Sequence, residues 1–79
     1  MATNYTYSVI LEPAEEGGFV VRVPALPEIC TEGETEEEAL ALAKDAIDLV
    51  IASRLERGEA IPLEFQRPIM RQVTVSRAA

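Results

Sequence analysis

Histidine and tryptophan are absent from this chain of 79 residues, and cysteine occurs once. Without histidine there is no usual general base, no usual zinc ligand and no Ser-His or Cys-His nucleophile pair. The single thiol, Cys30, can close neither an intramolecular disulfide nor a thiolate cage around a metal. Catalysis would have to rest on carboxylates, hydroxyls, two tyrosines and Lys44, and no cofactor is expected. Positive charge is scarce: seven Lys plus Arg face fourteen Asp plus Glu, for a net charge of −7. Phosphate backbones attract the opposite sign, which argues against nucleic acid as a partner of this chain alone. No apolar run approaches the roughly 18 residues of a membrane span. The start Met1-Ala2-Thr3-Asn4 has no basic, then apolar, targeting pattern, so a soluble cytoplasmic protein is expected.

What is present reads as a single globular domain over residues 1–79, with a hydrophobic content of 48%. A domain this small hides only about 60–65% of its unfolded surface, and self-association into a dimer or higher oligomer is expected to hide more. Charge is uneven along the chain. Residues 12–38 carry Glu12, Glu15, Glu16, Glu28, Glu32, Glu34, Glu36, Glu37 and Glu38 against Arg22 alone, whereas residues 54–79 are net basic. Any one of these acids can be a solvated helix cap or loop residue; the cluster is the better clue to a contact surface.

Along the chain, residues 5–12 alternate, with Tyr5, Tyr7, Val9 and Leu11 on one side, and predict a half-buried strand. Pro13-Ala14-Glu15-Glu16-Gly17-Gly18 is turn chemistry, and residues 19–23 read as the returning strand of a hairpin. Pro24-Ala25-Leu26-Pro27 ends that strand, because proline has no amide donor. Residues 28–32 leave room for a third short strand, with Cys30 as a small packing residue. Thr35 followed by Glu38 predicts a capping box, with the helix starting at Glu36 and the Glu38 carboxylate reaching back to the Thr35 amide. Ala39, Leu42, Ala43, Ala46, Ile47 and Val50 form its apolar stripe, flanked by Leu40, Leu49 and Ile51, and Gly58 serves as the residue beyond its end. Phe65 is expected to pack. Ile69 to Ser76, with Val73 and Val75 alternating with polar residues, predict a last strand. The expected class is α+β, in the order β-β-β-α-β, an antiparallel sheet with one long helix across one face.

The order and spacing of several short elements carry a resemblance: Glu12 with Glu16-Gly17-Gly18-Phe19; Pro24-Ala25-Leu26-Pro27; Gly33-Glu34-Thr35 leading into Glu38-Ala39; and Gly58-Glu59-Ala60-Ile61-Pro62. Together, over roughly residues 5–75, they resemble the HicB-like antitoxin family, the antidote half of HicA/HicB toxin-antitoxin pairs. The resemblance implies a truncated, non-catalytic RNase H-like fold and a partner, a small basic HicA-type toxin that cleaves mRNA. Many members carry a C-terminal DNA-binding domain. Here only Arg77-Ala78-Ala79 follow Ser76, and no such domain is expected in the chain.

The expected function is therefore binding and neutralisation of a basic toxin, with Glu12, Glu15, Glu16, Phe19, Leu26 and Glu28 as candidate partner-binding residues. The alternative is an orphan oligomeric scaffold of the same family with no toxin partner. An enzyme is not expected. Metal-dependent nuclease chemistry needs carboxylates converging from several elements, and the last strand, Gln72-Val73-Thr74-Val75-Ser76, has none. A glycosidase pair would need a cleft that raises one carboxyl pKa, and nothing in the sequence predicts one.

Overall fold

The computed structural model describes residues 3–78. Met1 and Ala2, read above as free of a targeting signal, and Ala79 lie outside them. Three strands and one helix follow one another: β1 (Ile10–Pro13), β2 (Phe19–Arg22), β3 (Cys30–Gly33) and α1 (Glu36–Glu56). The strands form one antiparallel sheet in the order β1-β2-β3, with Leu11 opposite Val21 and Val21 opposite Thr31. This is the expected α+β class, with the helix laid across one face of a hairpin-based sheet.

The first turn closes as its chemistry dictates. Ala14 donates to the Gly18 carbonyl at 3.0 Å and Gly17 to the Ala14 carbonyl at 3.1 Å, while Gly17 and Gly18 take φ values of +99° and +76° that side chains resist. After β2, the proline-rich loop folds inward: Leu26 donates to Val23 at 2.9 Å and Ile29 to Leu26 at 3.0 Å. These two turns carry Leu26 and Ile29 under the sheet, where they join Val23 in one buried cluster against Tyr7, Val9, Ala46, Ile47 and Val50. A second cluster, Val21 with Ala39 and Ala43, is flanked by Val9, Leu11 and Phe19.

Helix α1 starts where the sequence places it. The Thr35 hydroxyl accepts from the Glu38 amide at 3.0 Å, and three glutamates occupy the first turn, where the helix dipole favours them. The return bond differs from expectation: the Glu38 carboxylate takes the amide of Glu34, at 3.4 Å, rather than that of Thr35. At the far end Gly58, with φ +71°, donates to Leu55 at 3.2 Å and Glu59 donates to Arg54 at 2.8 Å, the paired bonds of a Schellman motif. The buried residues of the helix are Ala39 and Ala43. Small side chains let the helix axis approach β3 so closely that a Cβ placed on Gly33 would lie 2.6 Å from the Ala39 nitrogen. Leu42, expected in the stripe, stays on the exposed flank with Leu49, because the helix rests on its alanines.

Four other expectations are corrected. The ladder of β1 begins at Ile10 rather than Tyr5, since β2 stops at Arg22 ahead of Pro24 and leaves residues 5–9 with no strand beside them among the described residues. Cys30 lies exposed on the outer face of the sheet, because the β3 register pairs it with Arg22 rather than with an inward residue. Phe65 does not pack and is 91% exposed. The last strand is not formed: residues 69–76 have no ladder partner among the described residues, and Ile69, Met70, Val73 and Val75 face solvent.

Candidate functional site

The sheet register decides which acids meet. The β1–β2 turn and the C-terminal end of β3 lie at one end of the sheet, because Phe19 pairs with Gly33. The helix starts three residues beyond Gly33, so its acidic first turn joins the same end. An open cleft there is lined by Glu16, Gly17, Gly18, Phe19, Glu32, Gly33, Glu34 and Glu38. Glu15 stands exposed on the adjoining turn, and Glu36 and Glu37 on the helix beside it. Phe19 is half-buried, its ring shared between this cleft and the Val21 cluster.

The other candidates are placed differently. Glu12 lies on the outer face of the sheet, in an ion pair with Arg22, which lies diagonally across the hairpin, opposite Ile10. Glu28 lies at the opposite end of the sheet, where the Arg54 Nη2 donates to it at 2.8 Å. That hydrogen bond, with a further one from backbone, holds the Glu28 carboxyl below the usual carboxylate range, and it raises the Arg54 guanidinium pKa in turn. Arg54 also approaches Glu59, at 3.7 Å, so a small charge network ties the proline-rich loop to the helix exit. Glu28 is thus a brace between elements, remote from Glu15 and Glu16. Leu26 is 0% exposed, its side chain enclosed by the core cluster.

Glu32, Glu34 and Glu38 share the cleft with Glu16 but were not among the sequence-level candidates. The capping box was a signal for two of them, since it fixes Glu34 and Glu38 at the helix start. Placing that start beside the Gly17-Gly18 turn required the β2–β3 register.

At the opposite end, the chain leaving the helix is pinned to the N-terminal segment. The Tyr7 hydroxyl donates to the Pro62 carbonyl at 2.6 Å, and the Ser8 amide and hydroxyl donate to the two Glu64 carboxylate oxygens at 2.9 and 2.7 Å. Partial burial, with Tyr5 adding to it, pushes the Tyr7 phenol above its ordinary pKa against the opposing field of Arg54.

A hairpin sheet under one long helix, with carboxylates gathered at one end, defines a class: a small α+β domain with an acidic end. Among the described residues, no three His, Cys, Asp or Glu side chains are grouped so as to hold a metal ion, and no helix is long and apolar enough to cross a membrane. Within that class the chain belongs to the HicB-like antitoxin family of bacterial toxin-antitoxin systems, whose sequence model matches residues 7–74. It is 48% identical over 60 residues to Antitoxin HicB 1 of Photorhabdus laumondii, covering 76% of this chain and 39% of that protein. It is 46% identical over 57 residues to Antitoxin HicB of Escherichia coli K12, covering 72% of this chain and 41% of that protein. A UPF0150 protein of Thermoplasma acidophilum is 46% identical over 56 residues, covering 71% of this chain and 81% of its own length. The chain thus spans about two-fifths of the HicB antitoxins it matches.

Proposed function

We propose that this chain acts in the cytoplasm as an antitoxin, binding a small basic toxin of the HicA type through its acidic end and thereby withholding the toxin from RNA. The carrying observation is the convergence of Glu16, Glu32, Glu34 and Glu38 on one cleft, with Glu15, Glu36 and Glu37 around it. A protein that handles RNA presents positive charge to phosphate, and a surface with several carboxylates and no lysine or arginine lining it is complementary to that field. Phe19, half-exposed among the acids, supplies apolar contact where charge alone gives mainly encounter rate. In this reading Glu12 and Glu28 serve chiefly their ion pairs with Arg22 and Arg54, and the chain performs no catalysis.

The test is a titration of a HicA-type toxin into wild-type and Glu15→Lys/Glu16→Lys protein at two ionic strengths, with melting curves as control. Slower association and a shallower salt dependence at unchanged melting temperature support the acidic end as the interface. Equal rates and equal salt slopes place the toxin elsewhere.

A second reading is an oligomeric scaffold without a toxin. It is favoured by the exposed leucines Leu40 and Leu49 on the two flanks of the helix, which a homo-oligomer would cover. The two readings are compatible in one molecule, since the acidic end and the helix flanks are separate surfaces. A chain that oligomerises yet binds no HicA-type toxin at micromolar concentration would favour the second alone.

A further inference from the structure

Two stretches of this chain lack what their sequence is built to meet. The first is residues 69–76. Their odd positions, Ile69, Val73 and Val75, fall on one side of an extended chain and their even positions are mostly polar, which is the pattern of a half-buried strand. Yet Val73 is 86% exposed and Val75 76%. At about 3.3 Å per residue these eight residues reach roughly 25 Å. They contribute to a molecule measuring 60 × 28 × 20 Å, with a radius of gyration of 15.9 Å; a compact domain of this length has about 12 Å.

The second stretch is the N-terminal extension of β1. Residues 3–9 and the near flank of α1 form the walls of a groove of about 420 Å³, whose apolar lining comes from Tyr5, Tyr7, Val9, Leu40, Ile47 and Ile51. No strand lies beside residues 5–7 on either edge among the described residues.

The chain's own arm does not fill this groove. Pro62 and Glu64 are fastened at Tyr7 and Ser8. The chain then runs over the outer face, where Arg67 to Met70 lie against Ile10, Glu12 and Arg22. None of residues 61–76 lines the groove beside residues 3–7. The β3 edge is a poorer receiver: it is four residues long, and Glu32 and the exposed Cys30 occupy its outer face.

We propose that residues 71–76 form an exchanged arm, which in solution lies in the Tyr5–Ile51 groove of a second copy of this chain, with Val73 and Val75 turned onto Leu40, Ile47 and Ile51. Exchange is reciprocal, so one two-fold axis satisfies both arms and both grooves and the assembly closes as a dimer. Lys44 and Asp48, ion-paired at 3.0 Å on the groove's rim, leave a carboxylate within reach of Arg71, the polar member of the arm's inward side. The inference deepens the oligomeric part of the function proposed above and is independent of the toxin.

The first experiment is sedimentation of wild-type protein and of Val73→Lys/Val75→Lys at micromolar concentration, with circular dichroism alongside. A wild-type dimer that becomes a monomer in the variant supports the arm. A monomeric wild type overturns self-association altogether, and a variant that remains dimeric overturns the arm while leaving a dimer. The second experiment holds if the monomer does not fold: in a Cys30→Ser background, Ile47→Cys chains are mixed with Val75→Cys chains under mild oxidation. A disulfide joining the two different chains as the main product supports the exchange. Val75→Cys chains joined mainly to each other would show arms paired in a ribbon and overturn the groove, as would no crosslink.

Discussion

Replacing Gly33 with alanine tests how the helix is seated on the sheet. Gly33 is the last residue of β3 and lies buried beneath the first turn of α1. A Cβ added there would stand 2.6 Å from the Ala39 nitrogen, 2.7 Å from its Cα and 3.0 Å from its Cβ. Two of these atoms are helix backbone, so no rotamer change relieves the contact; the helix start must lift, and with it Ala39, which fills the Val21 cluster. Overpacking a well-filled core costs about 1–3 kcal/mol, and a clash with backbone belongs at the upper end. At roughly 4–8 °C per kcal/mol for a domain of this size, about 3 kcal/mol lowers the melting temperature by about 12–24 °C. Gly17→Ala is the matched control: it meets nothing within 4 Å but must adopt φ +99°, so its cost is backbone strain alone, about 1–2 kcal/mol. Thermal melts followed by far-UV circular dichroism should rank wild type above Gly17→Ala above Gly33→Ala. If Gly33→Ala melts within a few degrees of wild type, or above Gly17→Ala, the close seating of α1 on β3 is wrong.

Three further substitutions follow from single contacts. Leu26→Ala empties a fully buried site and should cost about 2–5 kcal/mol while leaving toxin association per folded molecule unchanged; a loss of affinity at unaltered stability would return Leu26 to the surface. Thr35→Ala removes the acceptor for the Glu38 amide and should cost about 1 kcal/mol, several degrees in melting temperature, and a wild-type melt would place the helix start elsewhere. The Glu28 carboxyl pKa is lower folded than unfolded, so its contribution is present above the unfolded value of about 4 and lost as pH falls through the lowered one. The melting difference between wild type and Glu28→Gln should therefore be full at neutral pH and close on acidification, whereas a difference independent of pH would remove the Arg54 contact as its source.

The hairpin and the helix were legible because their signals are local. Gly17-Gly18 supplies positive φ wherever it occurs, and Thr35 caps Glu38 through a bond spanning three residues. The core role of Leu26 was harder to read, since a leucine between two prolines looks like a loop tip until two consecutive turns, Val23 to Leu26 and Leu26 to Ile29, fold it under the sheet. Proximity in sequence misled for the acids. Glu28 is closer along the chain to Glu32 than Glu16 is, yet β3 carries Glu32 to the Glu16 end and leaves Glu28 with Arg54. The pattern in Val73 and Val75 states that a strand face wants cover and carries no address for it; the alternation is the same whether the neighbour is in the same chain or another.

The bonds from Tyr7 and Ser8 to Pro62 and Glu64 join positions 55 and 56 residues apart, so all three strands and the helix lie within one loop fastened at its base. Opening at either end then becomes a shared event. The N-terminal segment cannot peel from the helix without freeing the helix exit, and the exit cannot fray without uncovering the Ser8 amide. In hydrogen exchange, the Ser8 amide becomes a reporter of this clasp, exchanging together with the last turn of α1 as one opening unit rather than at the rate of an independent terminus. Above the raised Tyr7 pKa the phenolate has no proton to donate to Pro62, so alkaline pH loosens both ends of the chain through one ionisation.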